Sequence, residues 1–230
     1  MNKVLAIATK ELWELRRSGI KYAALFLGSY ALLIALLVVR GGAGDDGMLD
    51  GIPAQFFLPV LLIANPLALI SQIVSTSYHR EKKTATLEVL LSMKLTGRQI
   101  LNGKLLPGVL FGVIAYLVFA GLSLIVGALG LLPLGDGFGR PIEYAVLPLL
   151  AMYFVGVSSI VVAMLVSDEN VMRFLVMFVV LGITALLIVS LFNPTVRFAA
   201  LASLPIGSVV ISLLCDRRLA ARGLLLGSQA

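Results

Sequence analysis

Six stretches of this chain run without a charged residue for close to, or beyond, the roughly 17–25 residues that a helix needs to cross a bilayer. They cover 22–39, 52–78, 105–135, 144–167, 174–196 and 198–215. Inside a hydrocarbon layer each backbone N–H and C=O must be satisfied within its own segment, so runs of this length read as helices. Composition agrees: 60% of residues are hydrophobic and 13% charged, against about 45–50% and about 25% in ordinary soluble domains. The expected fold is all-α, a polytopic membrane bundle of six transmembrane helices. Division of 230 residues in this way leaves no room for a separate soluble domain, so 1–230 reads as one domain: a lateral helix over 1–18, the bundle over 19–215 and a tail over 216–230.

Positive charge sets the expected orientation, because basic flanks stay on the cytoplasmic side. Lys3, Lys10, Arg16, Arg17, Lys21, Arg80, Lys82, Lys83, Lys94, Arg98, Lys104, Arg173, Arg217, Arg218 and Arg222 fall on one side, with Arg40, Arg140 and Arg197 opposite. Both termini are expected in the cytoplasm and the protein in the cell (plasma) membrane. The net charge of +6 then follows from this asymmetry and from contact with anionic lipid head groups, and no nucleic-acid partner is expected. The basic N-terminus followed by an apolar run resembles a signal peptide in outline, but no A-x-A-like site follows Val39 and retention is expected.

Residues Met1 to Ser18 place Val4, Leu5, Ala8, Leu12 and Leu15 on one face and Lys3, Lys10, Glu14 and Arg17 on the other, the pattern of an amphipathic interfacial helix. The glycine- and aspartate-rich break from Arg40 to Pro53 reads as a short outer loop. In the second span Asn65, Gln72 and Thr76 share one helical face, serving either as interhelical hydrogen-bonding groups or as a translocation surface, and Pro66 should kink the helix. Thr184 and Ser190 are the polar positions of the fifth span. Gly108 and Gly112 in the third span allow close helix approach, within the bundle or at a dimer interface. Pro205 kinks the last span, unless a shallow re-entrant piece begins near Pro194.

Much chemistry is excluded. One histidine and one cysteine provide neither H-E-x-x-H nor a cysteine-based zinc spacing, so no metal site is expected. His79 reads as an interfacial polar residue rather than a general base, and Cys215 as a buried thiol. The spans carry no ionisable residue, which disfavours proton coupling. GRQILNGK, from Gly97 to Lys104, is one residue too long for a P-loop and is followed by Leu105 rather than Ser or Thr. The chain is therefore expected to lack catalysis of its own, with no cofactor bound, and nucleotide energy must reach it through another polypeptide.

The longest inner loop, His79 to Leu105, is basic and helix-patterned, with Leu87, Leu90, Leu91 and Leu95 at helical spacing beside Lys82, Lys83, Glu88, Ser92 and Arg98. Thr96 and Gln99 form a capping box for a helix that continues into the third span. Three segments carry a resemblance: KELWELRRS from Lys10 to Ser18, EKKTATLEVLLS from Glu81 to Ser92, and LTGRQILNGKLL from Leu95 to Leu106. Together they resemble the type-2 family of ATP-binding-cassette exporter permeases, whose pattern corresponds to Glu81, Thr86, Leu87, Glu88, Leu90, Leu91, Gly103 and Lys104.

The resemblance implies a cytoplasmic coupling helix between spans 2 and 3. Glu81, Lys82, Lys83, Thr86, Leu87, Glu88, Leu90 and Leu91 would dock it onto a separate ATPase subunit that holds ATP and Mg. Lys10, Glu11, Glu14 and Arg17 of the lateral helix would support the dock. It also implies a second permease chain, the same or similar, and a pathway lined by spans 2 and 5, with Asn65, Gln72, Thr76 and Thr184 as candidate lining residues. The few residues between spans 5 and 6 depart from relatives with a developed outer gate, and the scarcity of polar groups in span 5 favours an amphipathic or lipid-like cargo. A reading from another class is a membrane scaffold that recruits a cytosolic protein through 79–105 without transport.

Overall fold

The computed structural model describes residues 4–13, 48–49, 52–84, 95–128 and 146–227, together with single helical positions at 28, 31, 32 and 35. Among these residues the fold is all-α apart from one short ladder. Residues 4–13 form α1. Met48–Leu49 (β1) pairs antiparallel with Ile52–Pro53 (β2), and the chain then enters α2, Ala54–Lys83. The remaining helices are α3 (Gly97–Ala128), α4 (Leu147–Leu165), α5 (Glu169–Phe192) and α6 (Pro194–Gly227).

Four of these helices, α3 to α6, are long and apolar enough to cross a membrane, over Gly97–Ile125, Leu147–Leu165, Glu169–Leu191 and Pro194–Leu219. The protein is thus a membrane protein by the length and composition of its helices. Of the two other expected spans, 22–39 lies almost wholly outside the described residues. The other, 52–78, falls on α2, whose 30 residues measure ~45 Å. Ser71, Gln72, Ser75, Thr76 and Ser77 make its second half more polar than its neighbours.

α4 is the centre of the bundle. Of its apolar window 67% is buried, against 28% for α3, 33% for α5 and 22% for α6. A helix that is apolar all round belongs inside, and Ala151, Met152, Val155 and Ile160 of α4 pack with Leu67, Ile70 and Val74 of α2 and with Ile100 and Leu105 of α3 in the main core. The outer faces of the peripheral helices remain apolar, as Leu117, Leu124, Phe174, Phe178, Ile206 and Val210 show. Surface of that kind suits lipid or another membrane chain rather than water.

Gly108 and Gly112 bring α3 onto α2. A Cβ at Gly108 would stand 2.5 Å from Val74 Cγ2, and one at Gly112 would collide with the Ile70 side chain. Both glycines therefore serve packing inside the bundle. α2 continues through Pro66 and α6 through Pro205 as single helices. Between α5 and α6 the turn is one residue, Asn193. Its N–H donates to Val189 O to close α5, and its Oδ1 accepts from Thr195 N at 3.0 Å to open α6. Arg197 reaches back to Ser190 O at 3.2 Å and Leu191 O at 3.4 Å, covering carbonyls that the end of α5 leaves open. α6 starts as a regular helix at Pro194, where proline's fixed φ and missing N–H suit a first helical position.

Candidate functional site

α1 meets the ends of α2 and α3 through a buried group of charges. α1 turns Ile7, Ala8 and Glu11 inward, while Leu5 and Trp13 point outward. This inward face is rotated from the apolar face read from the sequence, which centres on Val4, Leu5, Ala8 and Leu12. The reason is the Glu11 carboxylate, which finds its counter-ions inside. Gly103 permits the approach, because a Cβ there would lie 2.7 Å from Ile7 Cβ.

Lys104 of α3 stands at the middle of the group with 1% of its side chain exposed. Its Nζ donates to Glu11 Oε1 at 2.9 Å and to Ser77 Oγ at 3.3 Å. The same ammonium lies 2.6 Å from Glu81 Oε2, an ion pair whose approach is off the line of a hydrogen bond. Ser77 Oγ donates in turn to Glu11 Oε2 at 2.6 Å, and Lys10 Nζ donates to Glu81 Oε1 at 2.8 Å. Two carboxylates thus face two ammonium groups. Burial pushes the Glu81 carboxyl up, but Lys104 and then Lys10 outweigh it and hold the group below the usual carboxylate range. A buried charge is tolerated when it is paired and hydrogen-bonded, which this arrangement provides.

Three of the charged residues at the end of α2, Glu81, Lys82 and Lys83, go different ways. Glu81 enters the cluster, whereas Lys82 Nζ donates to Met164 O at 3.3 Å and Val166 O at 3.2 Å, capping the end of α4. Lys83 reaches Glu169 Oε2 at 3.0 Å, and Glu169 also accepts from Arg173 at 2.7 Å. His79 is buried at the same junction with its Nε2 4.0 Å from Glu169 Oε2, and neither ring nitrogen makes a hydrogen bond among the described residues. Burial, and after it Lys83, lowers its pKa. Asp168 opens α5, accepting from Asn170 N at 2.7 Å and Val171 N at 3.1 Å, and these bonds keep its carboxyl below the ordinary range.

α3 begins as the sequence indicates. Thr96 N donates to Gln99 Oε1 at 3.1 Å while Gln99 N donates to Thr96 Oγ1 at 3.3 Å, the reciprocal capping box. Its first turn is tied to α6, where Asp216 Oδ1 accepts from Arg98 N at 2.9 Å. Of the remaining residues in the expected dock, Thr86, Leu87, Glu88, Leu90 and Leu91 lie outside the described residues, as do Glu14 and Arg17 of the lateral helix. The segment 85–94 is nevertheless bracketed by described structure on both sides: Glu81 and Thr84 before it, Thr96 and Lys104 after it.

A groove of about 380 Å³ opens between α2 and α5. Gln72 and Thr76 line it from α2, with Ser71 and Ser75; Arg173, Phe174 and Met177 face them from α5. Among the expected pathway residues, Asn65 and Thr184 are not in this lining. Asn65 is half-buried further along α2, and Thr184 is buried in α5 with its Oγ1 unpaired among the described residues. Among the described residues no cluster of His, Cys, Asp or Glu is arranged to hold a metal ion.

Sequence reasoning gave Lys104 and Glu11 no partner, and missed Ser77 and Asp216. A usable signal existed for the first: Lys104 falls among Leu101, Leu105 and Gly108, on a helix face that must be buried. A lysine there requires a carboxylate from another segment. Comparison with protein-family models, with curated proteins and with solved structures finds no match.

Proposed function

We propose that this chain is the membrane-spanning permease subunit of an ATP-binding-cassette exporter. In this reading it has six spans, cytoplasmic termini and a place in the plasma membrane. It works as a pair with the same or a similar chain and is driven by separate ATPase subunits that hold ATP and Mg. The segment 85–94 docks on the ATPase, and a tilt of α2 and α3 carries the stroke to the groove between α2 and α5.

One observation carries the reading: the buried Glu11–Lys104–Glu81 cluster joins α1 to both helices that flank the docking segment. Such a joint makes sense where force enters at that segment, because the dock, the lateral helix and two membrane helices then respond together. The motifs from Glu81 to Leu106 and the polar row of Gln72 and Thr76 along the groove lend further support. A scaffold that merely recruits a cytosolic protein has no need of a groove in its membrane core.

The test is purification from native membranes in mild detergent, followed by coupling assays. The exporter reading expects a P-loop ATPase at stoichiometric ratio, and it expects Glu88→Lys to uncouple ATP hydrolysis from transport while the bundle still assembles. Unchanged transport by Glu88→Lys, or no ATPase with an intact permease oligomer, would sink the reading.

A further inference from the structure

The groove between α2 and α5 changes chemical character along its walls. Arg173 and Asn170 stand at the end nearest Lys83 and Glu169, while Phe174, Met177 and Val180 turn the α5 wall apolar. On the α2 wall Ser71 and Ser75 already donate to backbone oxygens of their own helix, Ala68 O at 2.8 Å and Gln72 O at 3.5 Å. The side chains of Gln72 and Thr76 make no hydrogen bond among the described residues, and Gln72 is exposed.

Arg173 brings five N–H donors in a planar fork, a geometry suited to a phosphate or carboxylate. Its bond to Glu169 Oε1 engages one nitrogen, and 59% of the side chain remains exposed. One residue further, Phe174 meets Phe178 edge to face, with ring centroids 4.7 Å apart, and both rings are exposed. A cation and uncommitted polar groups thus adjoin an apolar surface that continues outward along α5.

We infer that the groove binds an amphiphile with an anionic head group, its head on Arg173 and Gln72 and its chain against Phe174, Met177 and Val180. This rests on the reading of the groove as the cargo path and specifies the class of cargo. A volume of about 380 Å³ is near the lower bound of small-molecule sites, ~300–1,000 Å³. The head and the first part of the chain fit within it, and the rest of the tail follows Phe178 and Leu181 on the exposed face of α5.

The experiment uses the full-length chain in phosphatidylcholine vesicles, with Trp13→Phe removing the sole tryptophan and Phe174→Trp placing a reporter in the groove. Brominated phosphatidylglycerol and brominated phosphatidylcholine are compared as quenchers. The anionic lipid should reach half-quenching at about fivefold lower mole fraction, the equivalent of one basic residue near a membrane surface. Arg173→Gln should abolish that preference and Arg173→Lys should retain most of it. Should Arg173→Gln fail to fold, about 1 M salt on the unmodified Arg173 serves instead, since screening at that strength removes an exposed ion pair.

Equal quenching by the two lipids, or a preference that survives both Arg173→Gln and high salt, overturns the inference. Relief of the preference by millimolar inorganic phosphate also overturns it, since the ligand would then be a free anion. The readout needs neither ATP nor an ATPase. Failure here with coupling intact would remove the cargo class and leave the exporter reading standing.

Discussion

Lys104 Nζ lies 2.9 Å from Glu11 Oε1, although 93 residues separate the two in sequence. Removal of the ammonium leaves the buried Glu11 carboxylate without its counter-ion and Glu81 with Lys10 alone. Lys104→Met should therefore destabilise the folded chain by about 3–5 kcal/mol, read as a lowered unfolding midpoint in detergent. Lys10 touches Glu81 from a position 41% exposed, so Lys10→Met should lose less than about 1 kcal/mol. Equal losses from the two substitutions would show that burial of the cluster is not what gives it strength.

The acid response has two parts of the same sign. Glu81 has a lowered pKa, so its contribution is complete above the unfolded value of 4.5 and disappears as pH falls through the folded value. His79 also has a lowered pKa, so between its folded value and 6.5 the unfolded chain binds more protons and stability falls on acidification. Unfolding measured from pH 8 downward should show a decline beginning near 6.5 that His79→Gln flattens. The lower step should persist in that variant. A decline near 6.5 unchanged by His79→Gln would assign it to other groups.

Glycines on one helix should differ sharply. Gly112→Val drives a side chain into Ile70 and should destabilise by about 1–3 kcal/mol. A Cβ at Gly121 meets nothing within 4 Å, so Gly121→Ala should be neutral or stabilising by up to about 1 kcal/mol. Thermal unfolding of the two variants side by side decides the point.

Trp13 is the chain's sole tryptophan and is 75% exposed. If the outward face of α1 rests in the membrane interface, brominated lipid should quench its emission and aqueous iodide should not. The reverse pattern would place that face in water or against a soluble partner.

The sequence shows the membrane class openly, because four of its uncharged runs coincide with helices of spanning length. It also shows the start of α3, since a capping box is local: Thr96 and Gln99 need only each other. The uncharged run of 105–135 stops at Lys104, yet α3 reaches back to the capped start at Gly97, because Lys104 is buried beside Glu11 and Glu81. That pairing is long-range, and helical periodicity carries no signal for partners 71 or 93 residues away. The orientation of α1 differs for the same reason: the apolar stripe turns Leu5 inward, whereas the buried face centres on Glu11 because its counter-ion lies inside.

The contacts at the helix ends form a closed circuit. Lys104 joins α1, α2 and α3, Asp216 ties α3 to α6, Asn193 and Arg197 hold α6 to α5, and Glu169 returns from α5 to Lys83 of α2. A circuit of this kind resists shear among α1, α2, α3, α5 and α6, since any of these helices sliding along its neighbour must break a link. It does not resist a common tilt, which preserves every link. Whatever load the bundle carries, it is built to lean as a frame rather than to slip like a piston.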